Sequence, residues 1–183
     1  MGRLPGFDYK RPFFYMVTLK KACGAGLAWP FSAIEGGEVA ANGLTRAFEG
    51  VIRRLHETWY CIEPIRYFVI MPDHIHLIIK IRDIEKRVSL AVVVRQLIKR
   101  LEEAARAGAM AAAEPPLKNQ PPQNRGVLQA ALRAAVFEFD WHDWIVKKEG
   151  QLAAFTRYIR STPHRRRGRT MRRSIAAAMK WAT

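Results

Sequence analysis

The segment HIHLIIKI, residues 74 to 81, carries side chains able to do chemistry. Read as a strand, its successive side chains alternate between faces, so Ile75, Leu77, Ile79 and Ile81 share one face while His74 and His76 share the other. Two neutral imidazoles about one pleat repeat apart can chelate a divalent ion, with a carboxylate, amide or water oxygen completing the site. An HxH pair taken alone is better explained by structural or solvent-facing histidines than by a metal site. Its placement adds weight, because the apolar opposite face marks a central strand and Pro72-Asp73 sets where that strand begins.

A second candidate lies in FTRYIRSTPHRRRGR, residues 155 to 169. Helical spacing puts Tyr158 at the edge of an apolar stripe, with Thr162 one turn later on nearly the same face. A phenol with its ordinary pKa near 10 is a poor nucleophile until a metal or base assists it or polarises its target. An amphipathic tyrosine at a core boundary is the plainer account of the same residue. Eight arginines lie between Arg157 and Arg173. That density suits a phosphate-binding surface, with Arg157, Arg160, Arg165, Arg166, Arg167 and Arg169 as the candidate contacts. Trp141, Trp144 and Phe139 are candidates either for stacking on unpaired bases or for the core.

Several elements must hold these groups in place. Pro12 to Lys20, rich in aromatic and β-branched residues, reads as a first strand, and the Gly- and Ala-rich stretch after it as loop. Asn42 can cap a helix in which Leu44, Ala47, Phe48, Val51, Ile52 and Leu55 recur at helical spacing. Ile62 to Met71 and His74 to Ile81 read as an antiparallel hairpin turning at Pro72-Asp73. A helix from about Leu90 places Val93, Val94, Leu97 and Leu101 on one side. Gly108 to about Arg125, with its paired prolines, reads as a loop or linker. Ala134 to Lys148 is again strand-like, and Glu149 to about Ser161 helical, with Leu152, Phe155 and Ile159 in register. The order predicts an α+β sheet with helices packed mainly on one face.

Composition bounds the function classes. With 183 residues and 49% apolar content, one domain with its own core is expected, followed by a basic tail from about residue 164. Lys and Arg number 31 against 16 Asp and Glu, a net charge of +15 that favours polyanionic partners, nucleic acid first. No apolar run reaches the roughly 18 residues of a spanning helix, and the first ten residues lack a signal-peptide core, so a cytoplasmic protein without membrane attachment is expected. Cys23 and Cys61 show no metal-binding spacing and are expected as free thiols rather than a disulfide. His56 and His142 are read as incidental.

Taken together, MPDHIHLII, WHDWIV and RYIRSTP before a basic tail resemble the small single-tyrosine HUH transposases of bacterial insertion sequences, especially the REP-associated tyrosine transposases. The resemblance runs from Phe13 to Arg167 with the motifs in the family's order, and MPDHIHLII is its specific part. It implies a ferredoxin-like sheet on which His74 and His76 hold Mg²⁺ or Mn²⁺. It also implies that Tyr158, matching the tyrosine of the family's YIxxNP motif, attacks a phosphate of single-stranded or hairpin DNA, leaving a 5′-phosphotyrosine and a free 3′-OH. Thr162 stands where the family has an asparagine that contributes to the metal site, and a neutral hydroxyl is a weaker ligand than an amide carbonyl. Asp143 matches an acidic position of the family and is expected to support the site from behind its ligands. Relatives act as dimers or monomers, so a homodimer and a tyrosine supplied by the partner both stay open. A nucleic-acid-binding protein that has lost catalysis would explain the charge and Thr162. A small-molecule metallohydrolase would explain the histidines but not the arginines.

Overall fold

The computed structural model describes residues 6–22, 30–35, 38–84, 88–112 and 135–162. Its main sheet has four antiparallel strands, β1 (Phe14–Lys20), β4 (Phe68–Ile70), β5 (His74–Lys80) and β6 (His142–Val146), in the order β4-β5-β1-β6. Helix α1 (Gly43–Thr58) links β1 to β4, and α2 (Leu90–Ala112) links β5 to β6. Without the small pair described below, the described residues therefore read βαββαβ, the ferredoxin-like arrangement, followed by α3 (Glu149–Ser161).

Alternation along β1 and β5 divides the sheet into two faces. Tyr15, Val17, Leu19, Ile75, Leu77 and Ile79 point to one face and pack with Phe48, Ile52 and Leu55 of α1 and Val93, Val94, Leu97 and Leu101 of α2. Met16 and Ile78 point to the other, where Phe155, Tyr158 and Ile159 of α3 cover them with Val146. Among the described residues, two helices thus lie on one face and one on the other. Helix α1 begins as its sequence predicts: the Asn42 side chain accepts from the Thr45 backbone N–H at 2.8 Å, and Thr45 Oγ1 accepts from the Asn42 N–H at 3.1 Å.

Several boundaries differ from those read in the sequence. The stretch expected to be loop contains a second, two-stranded sheet, β2 (Ala33–Glu35) with β3 (Glu38–Ala40). Helix α2 continues through Gly108 to Ala112, into the expected linker, because one glycine within a long run of alanines only weakens a helix; the rest of that linker lies outside the described residues. The strand expected from Ile62 is interrupted: Ile62 bridges Ile81, and Glu63 N–H donates to the Lys80 carbonyl, but Pro64 has no amide to continue the ladder before β4. The strand expected from Ala134 is likewise split. Phe137 bridges Lys21, Phe139 swings out at 99% exposure, and the ladder resumes at His142. Cys61 is a buried free thiol, whereas Cys23 lies outside the described residues.

Candidate active site

The two histidines enter the site from the first turn of β5. Met71 N–H donates to the His74 carbonyl at 2.8 Å, closing the Pro72-Asp73 turn between β4 and β5. From there the strand's alternation carries His74 and His76 to the face covered by α3, with their rings 4.5 Å apart and inclined at 68°. Asp73 holds the outer ring: its Oδ1 lies 2.6 Å from His74 Nδ1, leaving Nε2 of that ring for another partner. This hydrogen bond holds the Asp73 carboxyl below its ordinary pKa, against the opposing effect of partial burial.

His76 is fully buried. Its Nδ1 lies 2.8 Å from Thr18 Oγ1, a buried hydroxyl on the neighbouring strand, and its Nε2 lies 3.3 Å from the Tyr158 hydroxyl. Burial pushes its pKa down to about 3, with the neighbouring His74 acting in the same direction and Asp73 against it. The ring is therefore neutral near pH 7, with one nitrogen donating and the other accepting. The heavy-atom distances serve either tautomer, but only a proton on Nδ1, facing Thr18, leaves the Nε2 lone pair directed at Tyr158.

Tyr158 reaches this point because α3 lays its apolar stripe on the sheet. Phe155, Tyr158 and Ile159 share the helix face that packs on Met16, Ile78 and Val146. The tyrosine ring centroid is 5.3 Å from that of His76, and the residue is only 6% exposed. The cluster opens toward solvent at its other end, where the His74 side chain is 21% and that of Asp73 80% exposed. Thr162, the C-cap of α3, is buried and its hydroxyl donates to the Tyr158 carbonyl at 2.7 Å, a bond back along its own helix.

Not every expected residue joins this cluster. Asp143 pairs with Val17, and directly opposed residues of an antiparallel ladder point to the same face. Val17 belongs to the core under α1 and α2, so Asp143 lies on the opposite side of the sheet from the histidines, and its expected support of them is corrected. Trp141 is likewise in the α1/α2 core, while Trp144 is partly buried against α3. Arg157 and Arg160 are exposed on α3 on either side of Tyr158 in the sequence; Arg165, Arg166, Arg167 and Arg169 lie outside the described residues.

Three neighbours were missed or passed over in the sequence. Thr18 and Asp73 contact the imidazoles directly, and His142 shares their face because Thr18 opposes both His76 on β5 and His142 on β6. Asp73 is legible from its position beside His74, but Thr18 and His142 need the register. Among the described residues no group of three or more His, Cys, Asp or Glu is placed to hold a metal ion. The donor set thus fits part of a divalent site: two imidazoles, one kept neutral by burial and the other oriented by a carboxylate, with the remaining positions left to oxygen donors.

No family model matches the chain, and no curated protein matches its sequence. No helix among the described residues is long and apolar enough to cross a membrane. In structure, the chain is similar to a REP-associated tyrosine transposase bound to a REP hairpin, with a TM-score of 0.54 and 12% sequence identity, over 89% of this chain and 73% of that one. At that identity the likeness is one of fold, an α+β, ferredoxin-like sheet with an added helix.

Proposed function

We propose that this protein cuts and rejoins single-stranded DNA through Tyr158. The observation that carries this reading is the 3.3 Å approach of the Tyr158 hydroxyl to His76 Nε2, beside a second imidazole oriented by Asp73. The net charge of +15 and a fold shared with a DNA-bound transposase support it. In the reaction, the Tyr158 hydroxyl gives up its proton as its oxygen attacks the phosphorus, the bond from phosphorus to the 3′-oxygen breaks, and the leaving oxygen takes up a proton to become a free 3′-OH. The 5′-phosphotyrosine ester keeps the energy of the original diester, so a 3′-OH from another strand reverses the step without ATP.

His74 and His76 would hold Mg²⁺ or Mn²⁺ through their Nε2 atoms, with Thr162 as an oxygen donor at the position the resemblance assigns. When bound, such an ion neutralises charge on the phosphate and polarises it toward attack. His76 offers one lone pair at Nε2, which would serve either the Tyr158 proton or a cation. Arg157, Arg160 and the basic tail, Arg165, Arg166, Arg167 and Arg169, bind the flanking phosphates.

The test is a cleavage assay with single-stranded oligonucleotides taken from the repeats that flank the gene. A covalent protein–DNA adduct should form only with divalent metal and disappear in Tyr158→Phe while binding survives. An adduct that persists in Tyr158→Phe moves the nucleophile elsewhere. A second reading, DNA binding without cleavage, is favoured by the 6% exposure of Tyr158, since its hydroxyl meets a phosphate only after the side chain or α3 shifts. Binding with no adduct in either Mg²⁺ or Mn²⁺ would select that reading.

A further inference from the structure

Beside Tyr158, on the outward flank of α3, runs an open groove of about 710 Å³, within the range of small-ligand sites. Tyr67, just before β4, forms one wall, and Leu152, Thr156, Arg157, Arg160 and Ser161 of α3 form the other. The groove shares its helix with the proposed nucleophile: Arg157 precedes Tyr158 in the chain, and Ser161 Oγ donates to the Tyr158 carbonyl at 3.1 Å. A strand whose phosphate lies at Tyr158 thus has this groove within about one helical turn.

Its chemistry selects one class of occupant. Arg157 and Arg160 are both exposed, and neither meets a carboxylate among the described residues, so two guanidinium groups stand ready for an anion. The Arg160 guanidinium carbon lies 5.8 Å from the Tyr67 ring centroid, a cation-π distance that brings positive charge and an aromatic surface together. An acidic peptide would use the arginines but not the aromatic wall. A nucleotide uses both, its phosphate on the guanidinium groups and its base on a ring. Paired bases are stacked within a duplex and unavailable to a tyrosine, so the occupant is unpaired.

We infer that this groove is a subsite for one unpaired nucleotide of single-stranded DNA flanking the phosphate at Tyr158, with Tyr67 as the stacking platform and Arg157 and Arg160 as the phosphate clamp. The inference rests on the DNA-processing reading above. It also adds a specificity device, because stacking on Tyr67 distinguishes single strands from duplex whereas arginines alone do not.

The experiment measures affinity of the full-length protein for a mixed-sequence single strand of about 12 nucleotides and for its duplex, without divalent metal, from about 50 to 200 mM salt. Tyr67→Leu should weaken single-strand binding about 5- to 150-fold, the worth of one stacked base, and leave duplex binding nearly unchanged, while Tyr67→Phe restores the single-strand affinity. The Arg157→Ala/Arg160→Ala pair should lower the slope of log affinity against log salt by about 1.4 on single strands. Unchanged single-strand affinity in Tyr67→Leu, equal losses on both forms, or an unchanged slope in the arginine pair would overturn the subsite. If Tyr67→Leu does not fold, the arginine slope decides, since those side chains are exposed. Adduct formation by the wild type is scored separately: an adduct without these signatures removes the subsite and keeps the nicking reading, and the signatures without an adduct do the reverse.

Discussion

Replacing Thr18 by valine tests whether the imidazole of His76 is held by the strand beside it. Valine preserves the branched shape at a buried position but removes the Oγ1 that lies 2.8 Å from His76 Nδ1. Because His76 has no solvent to turn to, that nitrogen would be left buried without a partner, a loss of about 1–3 kcal/mol. The same contact selects the tautomer that presents the Nε2 lone pair, and removing such an orienting partner typically lowers metal affinity about 10- to 100-fold. Two measurements follow: urea unfolding of the wild type and Thr18→Val at pH 7.5, and titration of each with Mn²⁺. Thr18→Ser should recover most of both losses, because it returns the hydroxyl without the methyl. Stability within about 0.5 kcal/mol of the wild type in Thr18→Val, together with unchanged Mn²⁺ affinity, would refute the claim that Thr18 orients the ring.

Three further expectations come from the same geometry. The depressed pKa of His76, about 3 when folded against about 6.5 when unfolded, means that the unfolded chain binds a proton the folded one refuses as pH falls through this window. The stability present above pH 6.5 is therefore lost on acidification, by about 2 kcal/mol at pH 5, and unfolding of His76→Leu over the same range should lack this component. Phe155→Ala removes the buried ring beside Tyr158 that anchors α3, and should lower stability by about 3–5 kcal/mol in urea unfolding and reduce adduct formation as the helix loosens. Asp143→Asn should leave metal-dependent adduct formation within about twofold of the wild type, because Asp143 lies on the opposite face of the sheet from the histidines and couplings between separate sites amount to only about 0.5 kcal/mol; a large loss would return Asp143 to the site.

The strands and helices that carry the site follow from local pattern. HIHLIIKI alternates strictly enough that its two faces are legible without coordinates, and α1 and α2 bury the apolar positions that their spacing picks out. Legibility fails where the local signal is weak or shared. The β2–β3 pair falls in a stretch whose glycines and short apolar runs resemble a loop, and its two strands of three residues each are too short to show alternation. The break at Pro64 and the excursion at Phe139 shorten strands whose composition alone continues past them.

From sequence alone, His74 and His76 come out as neighbours, Tyr158 lies on the inward edge of its helix, and the chain is strongly basic, since each follows from residue type and a spacing of a few positions. Tertiary structure decided that these features meet, with Tyr158 above His76 across 82 positions of sequence and Thr18 beside it across 58. It also decided which side of the sheet each residue of β6 serves, and so exchanged Asp143 for His142. The reason is register: a strand's own alternation assigns its residues to two faces, but only hydrogen bonding to the next strand determines which of those faces is shared, and a shift of one residue would reverse the assignment.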